Sequence, residues 1–279
     1  MSPVGDATNP FAGTIAEMTW SEVDAAARRG AVVLWAIGVI EQHGPHLPAG
    51  TDVYVPMSTL LGVKAELAQQ GREALVLPPF YWGVNHVSSA FPASYGLSPD
   101  LMVATISELL QSVARDGFGH IFCLSGHGDA LHNSSLHRGV QQAREGGSTC
   151  QFHHLVDAPL AARIGVAQDD PAIVVLPETP DAPQLVTPFA DVHAGDWESS
   201  LMFVGGDGLV RAGYEELPDT GLDADDLARW RLGGRDARAV TPEGYLGDPA
   251  SATPDRGRGW WQARVTATTR GILRVLDAP

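Results

Sequence analysis

The sequence predicts an α/β fold: a single three-layer α/β/α domain around a mainly parallel sheet of about four strands. Strand-like and helix-like segments alternate four times between residues 19 and 156, the rhythm of a parallel sheet covered on both faces. The first strand segment is apolar throughout, as strands buried on both faces are. The punctuation agrees, since 31 glycines and 20 prolines in 279 residues supply turns without any repeat period.

The elements follow in order. Residues 1–18 read as a loose leader, and 19–279 as the domain. Thr19-Trp20-Ser21-Glu22 opens a helix with a capping-box spacing, and Gly30 closes it. Ala31–Ile40 is the first strand. A helix over 54–70 ends at Gly71, and Ala74–Leu77 is a second strand. Ser98-Pro99-Asp100 starts a helix running to Asp116, with Pro in its first turn. His120–Leu124, a helix over 131–145 and a strand from Thr149 to Val156 complete the alternation. Residues 165–190 and 205–255, rich in Pro, Asp and Gly, read as long shaped loops.

Charge and composition exclude several classes. Thirty-three acids against 18 Lys and Arg leave a net charge of −15. That disfavours a nucleic-acid binder and argues against a polyanionic substrate. Cys123 and Cys150 are too few for a disulfide framework or a thiolate metal site. The opening MSPVGDATNPF lacks the basic and apolar regions of a signal peptide, and Ala31–Ile40 is about half the roughly 20 residues of a membrane span. The expectation is a soluble cytoplasmic protein with no membrane partner.

In parallel α/β sheets, ligands bind where strands end. The first strand ends in Glu41-Gln42-His43-Gly44-Pro45-His46, followed by Thr51-Asp52. The third ends in Ser125-Gly126-His127-Gly128-Asp129, and Asp191-Val192-His193-Ala194-Gly195-Asp196-Trp197-Glu198 precedes an apolar helical segment. Buried acids and imidazoles are costly unless paired or metal-bound, so two strand ends that each carry an acid and a histidine suggest a shared divalent site. Imidazole and carboxylate without thiolate suit Zn, Mn or Fe, and a carboxylate shared by two ions gives a site that holds hydroxide for attack on a carbonyl. The plainer readings are that Asp52 and Asp129 cap helices, that one of His153 and His154 is solvated, and that His86, His120, His132 and His137 lie on loops or helix surfaces. Trp260-Trp261 reads as packing or as an interface patch.

Glu41-Gln-His-Gly-Pro-His-Leu-Pro-Ala-Gly-Thr-Asp52 resembles the first signature of the creatininase family of metal hydrolases. Ser125-Gly-His-Gly-Asp129, His193-Ala-Gly-Asp-Trp-Glu198-Ser-Ser and Gly244-Tyr-Leu-Gly-Asp-Pro249 are similar to its later motifs, and Phe91-Pro92 to its F-P-G-T stretch. The resemblance implies a creatininase-like fold, a hexamer, and two divalent metal ions per chain. Glu41, Asp52 and His127 would hold one ion; His43 and Asp52 would hold the other, completed by Asp129 or Glu198. His193 would protonate the leaving nitrogen, and Glu198 would act as ligand or bind the attacking water. The departures lie around the metals: Val87-Ser88 replaces Glu-His, Ala93-Ser94 replaces Gly-Thr, and Asp129-Ala130 replaces Gly-Asn. Gly128 stands where the creatinine-hydrolysing branch has an aromatic, which leaves Phe189 and Trp197 as expected substrate walls. The expected activity is hydrolysis of the C–N bond of a cyclic or small amide, on a small-molecule substrate other than creatinine. A deformylase or peptide-tail hydrolase of cofactor or natural-product biosynthesis is the alternative within this chemistry. A non-catalytic metal-binding homologue is the alternative outside it.

Overall fold

The computed structural model describes residues 9, 11–167, 169–185 and 187–278. Its centre is a sheet of five strands in the order β2-β1-β3-β4-β5, every neighbouring pair parallel. The strands are β1 (Val32–Ile37), β2 (Ala74–Val76), β3 (His120–Ser125), β4 (Gln151–Val156) and β5 (Ile173–Val175). The first four match the sequence reading. The fifth corrects it, because three residues within 165–190, a segment read as loop, add an edge strand beside β4. A three-residue edge strand leaves too short an apolar run to stand out from turn residues.

Alternate residues of β1 face opposite layers, as strand geometry requires. Val33, Trp35 and Ile37 pack with α1 (Trp20–Arg28), α3 (Pro99–Ala114) and α4 (Ala130–Glu145). Val32, Leu34 and Ala36 pack instead with α2 (Thr51–Gln69) and, through Val265 and Ile272, with the C-terminal helix. The helix at 19–30 keeps its predicted start: Thr19 and Glu22 form a reciprocal capping box. In the stretch expected as a loose leader, residues 1–8 and 10 lie outside the described residues. Residues 11–18 are seated, with Thr14 buried and the Lys64 ammonium donating to the Gly13 carbonyl at 3.2 Å.

The region read as loop from 205 to 255 also needs correction. It holds two short helices, labelled below α7 (Ala224–Trp230) and α8 (Gly234–Val240). They follow α5 (Ala158–Arg163) and α6 (Asp196–Gly205), and α9 (Pro254–Leu276) ends the fold. Trp260 is buried and Trp261 half-buried in the clusters between α2, α6 and α9. The indole N–H of Trp260 donates to the Pro183 carbonyl at 2.6 Å. The Trp pair is thus packing within the chain rather than an exposed interface patch. No described helix is long and apolar enough to cross a membrane.

Candidate active site

β1 and β3 are neighbours at the middle of the sheet, so their C-terminal ends deliver the first two motifs to one place. The start of α2 descends between them. A Cβ on Gly38 would lie 2.3 Å from the Asp52 carbonyl oxygen, and one on Gly126 2.2 Å from it. Only glycine at both positions lets the helix approach closely enough to place Asp52 between the strand ends. α2 begins at Thr51 with Gly50 as a cap that lends no side chain, so Asp52 stands in the first turn and is not the cap. The third motif is held by the C-terminal one. The backbone of His193 exchanges hydrogen bonds with Leu246, at 3.2 and 2.8 Å, and the Asp191 carboxylate accepts from the N–H groups of Asp196 and Asp248.

Glu41, His43, Asp52, His127, His193 and Glu198 are all buried, and they converge. His127 Nδ1 lies 3.0 Å from Asp52 Oδ2 and 3.2 Å from Glu41 Oε1. His43 Nε2 lies 3.3 Å from Asp52 Oδ1 and 3.6 Å from Glu198 Oε2. His193 Nδ1 stands 3.7 Å from Glu41 Oε1 and 3.9 Å from Glu198 Oε2. Three sets among the described residues have the spacing of metal ligands: Glu41, Asp52 and His127; His43, Asp52 and Glu198; and Glu41, His43 and His193. Glu41, His43 and Asp52 each belong to two of them, and Asp52 alone faces a different histidine with each of its oxygens, His43 with Oδ1 and His127 with Oδ2.

The donor chemistry fits a divalent ion. His43 Nδ1 lies 3.0 Å from the Glu41 carbonyl oxygen, which only accepts, so Nδ1 carries a proton and Nε2 points at two carboxylates. That orientation, ring nitrogen inward and the other N–H fixed by a carbonyl, is characteristic of metal-binding histidines. His43 Nε2 and Asp52 Oδ2 have no hydrogen-bond partner among the described residues, although both are buried. Divalent ions held by this cluster would satisfy both atoms.

The electrostatics show how tightly the groups are coupled. Burial pushes the His43 imidazole down, but Asp52, Glu198 and Glu41 outweigh it and hold it up at about 10. His127 is likewise raised, by Glu41 and Asp52 against burial. Burial alone would raise Asp52, yet His43 and His127 keep it well below the usual carboxylate range. Burial lifts Glu198 to about 7, aided by Asp52 and opposed by His43. His193 goes the other way: burial and then His43 push it down to about 4.

Asp129 does not join this cluster. Its Oδ1 accepts from the N–H groups of Leu131 and His132 at the start of α4, and its Oδ2 from those of His86 and Val87. It is a helix cap and loop clamp with both oxygens engaged, 4.0 Å from His127 Nε2. His46 also turns away, bonding Ser199 Oγ at 2.7 Å through Nε2.

A cavity of about 430 Å³ opens onto the cluster. Gly128 lines it, and a Cβ there would meet nothing within 4 Å. The expected aromatic walls stand elsewhere. Phe189 is not part of the lining, and the Trp197 ring is covered by the Arg264 guanidinium at 5.2 Å within the α6–α9 packing. Trp197 immediately follows Asp196, which the Arg256 guanidinium ties to α9, and this turns its ring toward that helix. The wall is Trp230, whose ring centroid is 5.7 Å from that of His193.

Three contributors escaped the sequence reading. Ser88 donates to Glu41 Oε2 at 2.5 Å, from the Val87-Ser88 position that departs from the family pattern. Gln42 flanks His193 Nε2 with its side-chain nitrogen at 3.1 Å and its carbonyl oxygen at 2.9 Å, offering a donor and an acceptor to the same atom. Trp230 carries no sequence signal, since it arrives from α7, 37 positions beyond His193.

The creatininase family model, described as creatinine amidohydrolase, matches residues 16–272. The chain belongs to the creatininase family. A mycofactocin precursor peptide peptidase of Mycolicibacterium smegmatis is 27% identical over 247 residues, covering 87% of this chain and 85% of that protein. A crystal structure of creatinine amidohydrolase superposes with a TM-score of 0.71 at 22% identity, covering 96% of this chain and 99% of the other. A manganese creatininase gives 0.70 at 20% identity, covering 94% and 98%. These structures share the fold of this family member. Its motifs correspond in order to the two strand ends, the His193–Glu198 turn and the segment that braces it.

Proposed function

We propose that the protein is a divalent-metal-dependent amidohydrolase that cleaves a C–N amide bond in a substrate larger than creatinine, a peptide amide in particular. The observation that carries this reading is the placing of Asp52, whose Oδ1 faces His43 and whose Oδ2 faces His127, so that it stands between two ligand sets. Glu41, Asp52 and His127 would hold one ion, and His43, Asp52 and Glu198 the other. Bound divalent ions would polarise the amide carbonyl and lower the pKa of water for attack on it. Glu198 is preferred to Asp129 as the second carboxylate because both Asp129 oxygens are spent on backbone N–H groups.

His193 is the proton donor to the leaving nitrogen. Its Nδ1 faces the cluster, while Gln42 can either donate to Nε2 or accept from it. The imidazole therefore stays hydrogen-bonded in both tautomers as a proton passes through Nδ1. Ser88 fixes the Glu41 carboxylate. The peptide preference rests on the open wall at Gly128 and on the peptidase relative that aligns over most of its length.

Elemental analysis after gentle dialysis, followed by assays on short peptide amides and creatinine, tests the reading. The expected result is up to two transition-metal ions per chain and chelator-sensitive hydrolysis. Creatinine should trail the best peptide amide by at least about a hundredfold in kcat/KM, roughly 2.7 kcal/mol of transition-state binding. Less than half an equivalent of metal, with activity indifferent to chelation, overturns it.

A further inference from the structure

The chain is acidic overall, with a net charge of −15, and the floor of the cavity is built from carboxylates. Its wall nevertheless carries two guanidinium groups, Arg163 at the end of α5 and Arg231 just after α7. Neither forms an ion pair among the described residues. Arg163 Nη2 donates to the Gly128 carbonyl at 2.6 Å, which uses one of its five N–H donors. The Arg231 side chain has no hydrogen-bond partner among the described residues, while its backbone N–H closes α7 on Leu227. The carboxylate of Asp129, also in the lining, is held by four backbone N–H groups, and it and Asp157 act on Arg163 without forming an ion pair with it. Arg163 and Arg231 both keep exposed surface on this wall, open to a ligand in the cavity. Two guanidinium groups on one cavity wall, neither ion-paired among the described residues, offer planar sets of donors to a carboxylate that enters the cavity. Trp230 directly precedes Arg231 and lines the same cavity, so an apolar surface adjoins the charged one.

We infer that Arg163 and Arg231 form an anion subsite that holds a carboxylate at the end of the substrate remote from the scissile amide, with Trp230 packing on the apolar part between. The substrate class is an amide ending in a free carboxylate, as N-acylated amino acids and short peptides do. The inference rests on the hydrolase reading for the word substrate, but the subsite itself is defined by binding. It also reverses, locally, the expectation drawn from net charge: the total says nothing about two residues from separate helices that meet at one cavity.

The test compares N-acetyl-glycyl-phenylalanine with its C-terminal carboxamide, a pair differing in the terminal charge. Binding to the metal-loaded protein is followed by tryptophan fluorescence and calorimetry, and hydrolysis is assayed separately. The acid should bind at least about tenfold more tightly than the carboxamide, and rising salt should erode the difference. In Arg231→Gln and in the Arg163→Gln/Arg231→Gln double variant, the ratio should fall toward one. Arg163→Lys should keep part of the preference, because it retains the charge but loses the planar fork. Metal content and thermal midpoint of each variant confirm that it is folded. Equal binding of acid and carboxamide, no binding of either, or an acid preference that survives in the double variant overturns the subsite. Acid-selective binding without hydrolysis leaves the subsite standing and removes the hydrolase reading instead.

Discussion

His43 and His127 at the strand ends, and His132 on α4 and His154 on β4, are all buried, yet their protonation runs in opposite directions. The first pair faces three carboxylates, which raise both imidazoles in spite of burial. In the second pair both ring nitrogens of His132 and of His154 lack a hydrogen bond among the described residues, and Asp129 and Asp52 act on His132 too weakly to offset its burial. Burial, aided by neighbouring histidines, pushes each of these down to about 3. Burial by itself therefore does not mark a functional histidine. What marks one is an acid within reach and a second-nitrogen hydrogen bond that fixes its direction, as the Glu41 carbonyl does for His43.

The sharpest way to break this comparison is to remove the shared acid. Asp52→Asn should leave a folded protein, lower metal content, and reduce hydrolysis by on the order of a thousandfold or more, the scale of losing electrostatic stabilisation at a reacting centre. A variant that keeps its metal and loses only about 1 kcal/mol of stability would return Asp52 to a helix-end role. Next in size is Ser88→Ala, which leaves Glu41 in place but unbraced. A loss of about 10- to 100-fold in metal affinity or activity is expected, as for other residues that orient a ligand. Unchanged metal affinity and turnover would show that Glu41 is held by its backbone alone.

The smallest effect falls on the other pair and is read in stability. His154 folds with an imidazole held at about 3, against an ordinary value near 6.5. Its folded value is depressed, so its contribution is complete above about pH 6.5 and declines as pH falls toward 3. His154→Met, which fills similar space without a titrating group, should flatten the loss of stability between pH 7 and pH 5 in urea unfolding and leave metal content unchanged. An equal slope in both proteins would mean that His154 is not the group that charges on the way to acid unfolding.

The sequence reading of these histidines divided along the same line. Expecting His132 and His137 on helix surfaces, and one of His153 and His154 in solvent, was incorrect: all four are buried. In β4 the alternation placed them on opposite faces, but both faces are covered. His153 stacks on Phe122 with ring centroids 4.7 Å apart, and His154 lies 6.1 Å from His137. Polar residue type argued for solvent, and the helix layers on either side of the sheet overruled it. His137 is half-satisfied by Asp170, 3.2 Å from its Nε2, a partner from the loop before β5 that no local pattern announces.

By itself, the chain order of apolar runs, caps and glycines determined the parallel sheet and which strand ends carry acids and histidines. Those features are local: a strand's face alternates every two residues, and a capping box spans four. The resemblance of the chain's motifs to the creatininase signatures implied that Glu41, His43, Asp52, His127, His193 and Glu198 share one site, and they do converge. Only the tertiary structure gives a ground for proposing Glu198 rather than Asp129 as a ligand, since it shows the Asp129 oxygens engaged by backbone N–H groups of two segments. It also decided that Trp230, not Phe189 or Trp197, walls the cavity, and that Arg163 and Arg231 meet there. Those residues come from helices far apart in the chain, and their proximity depends on how the helices close over the sheet, which no short window of sequence encodes.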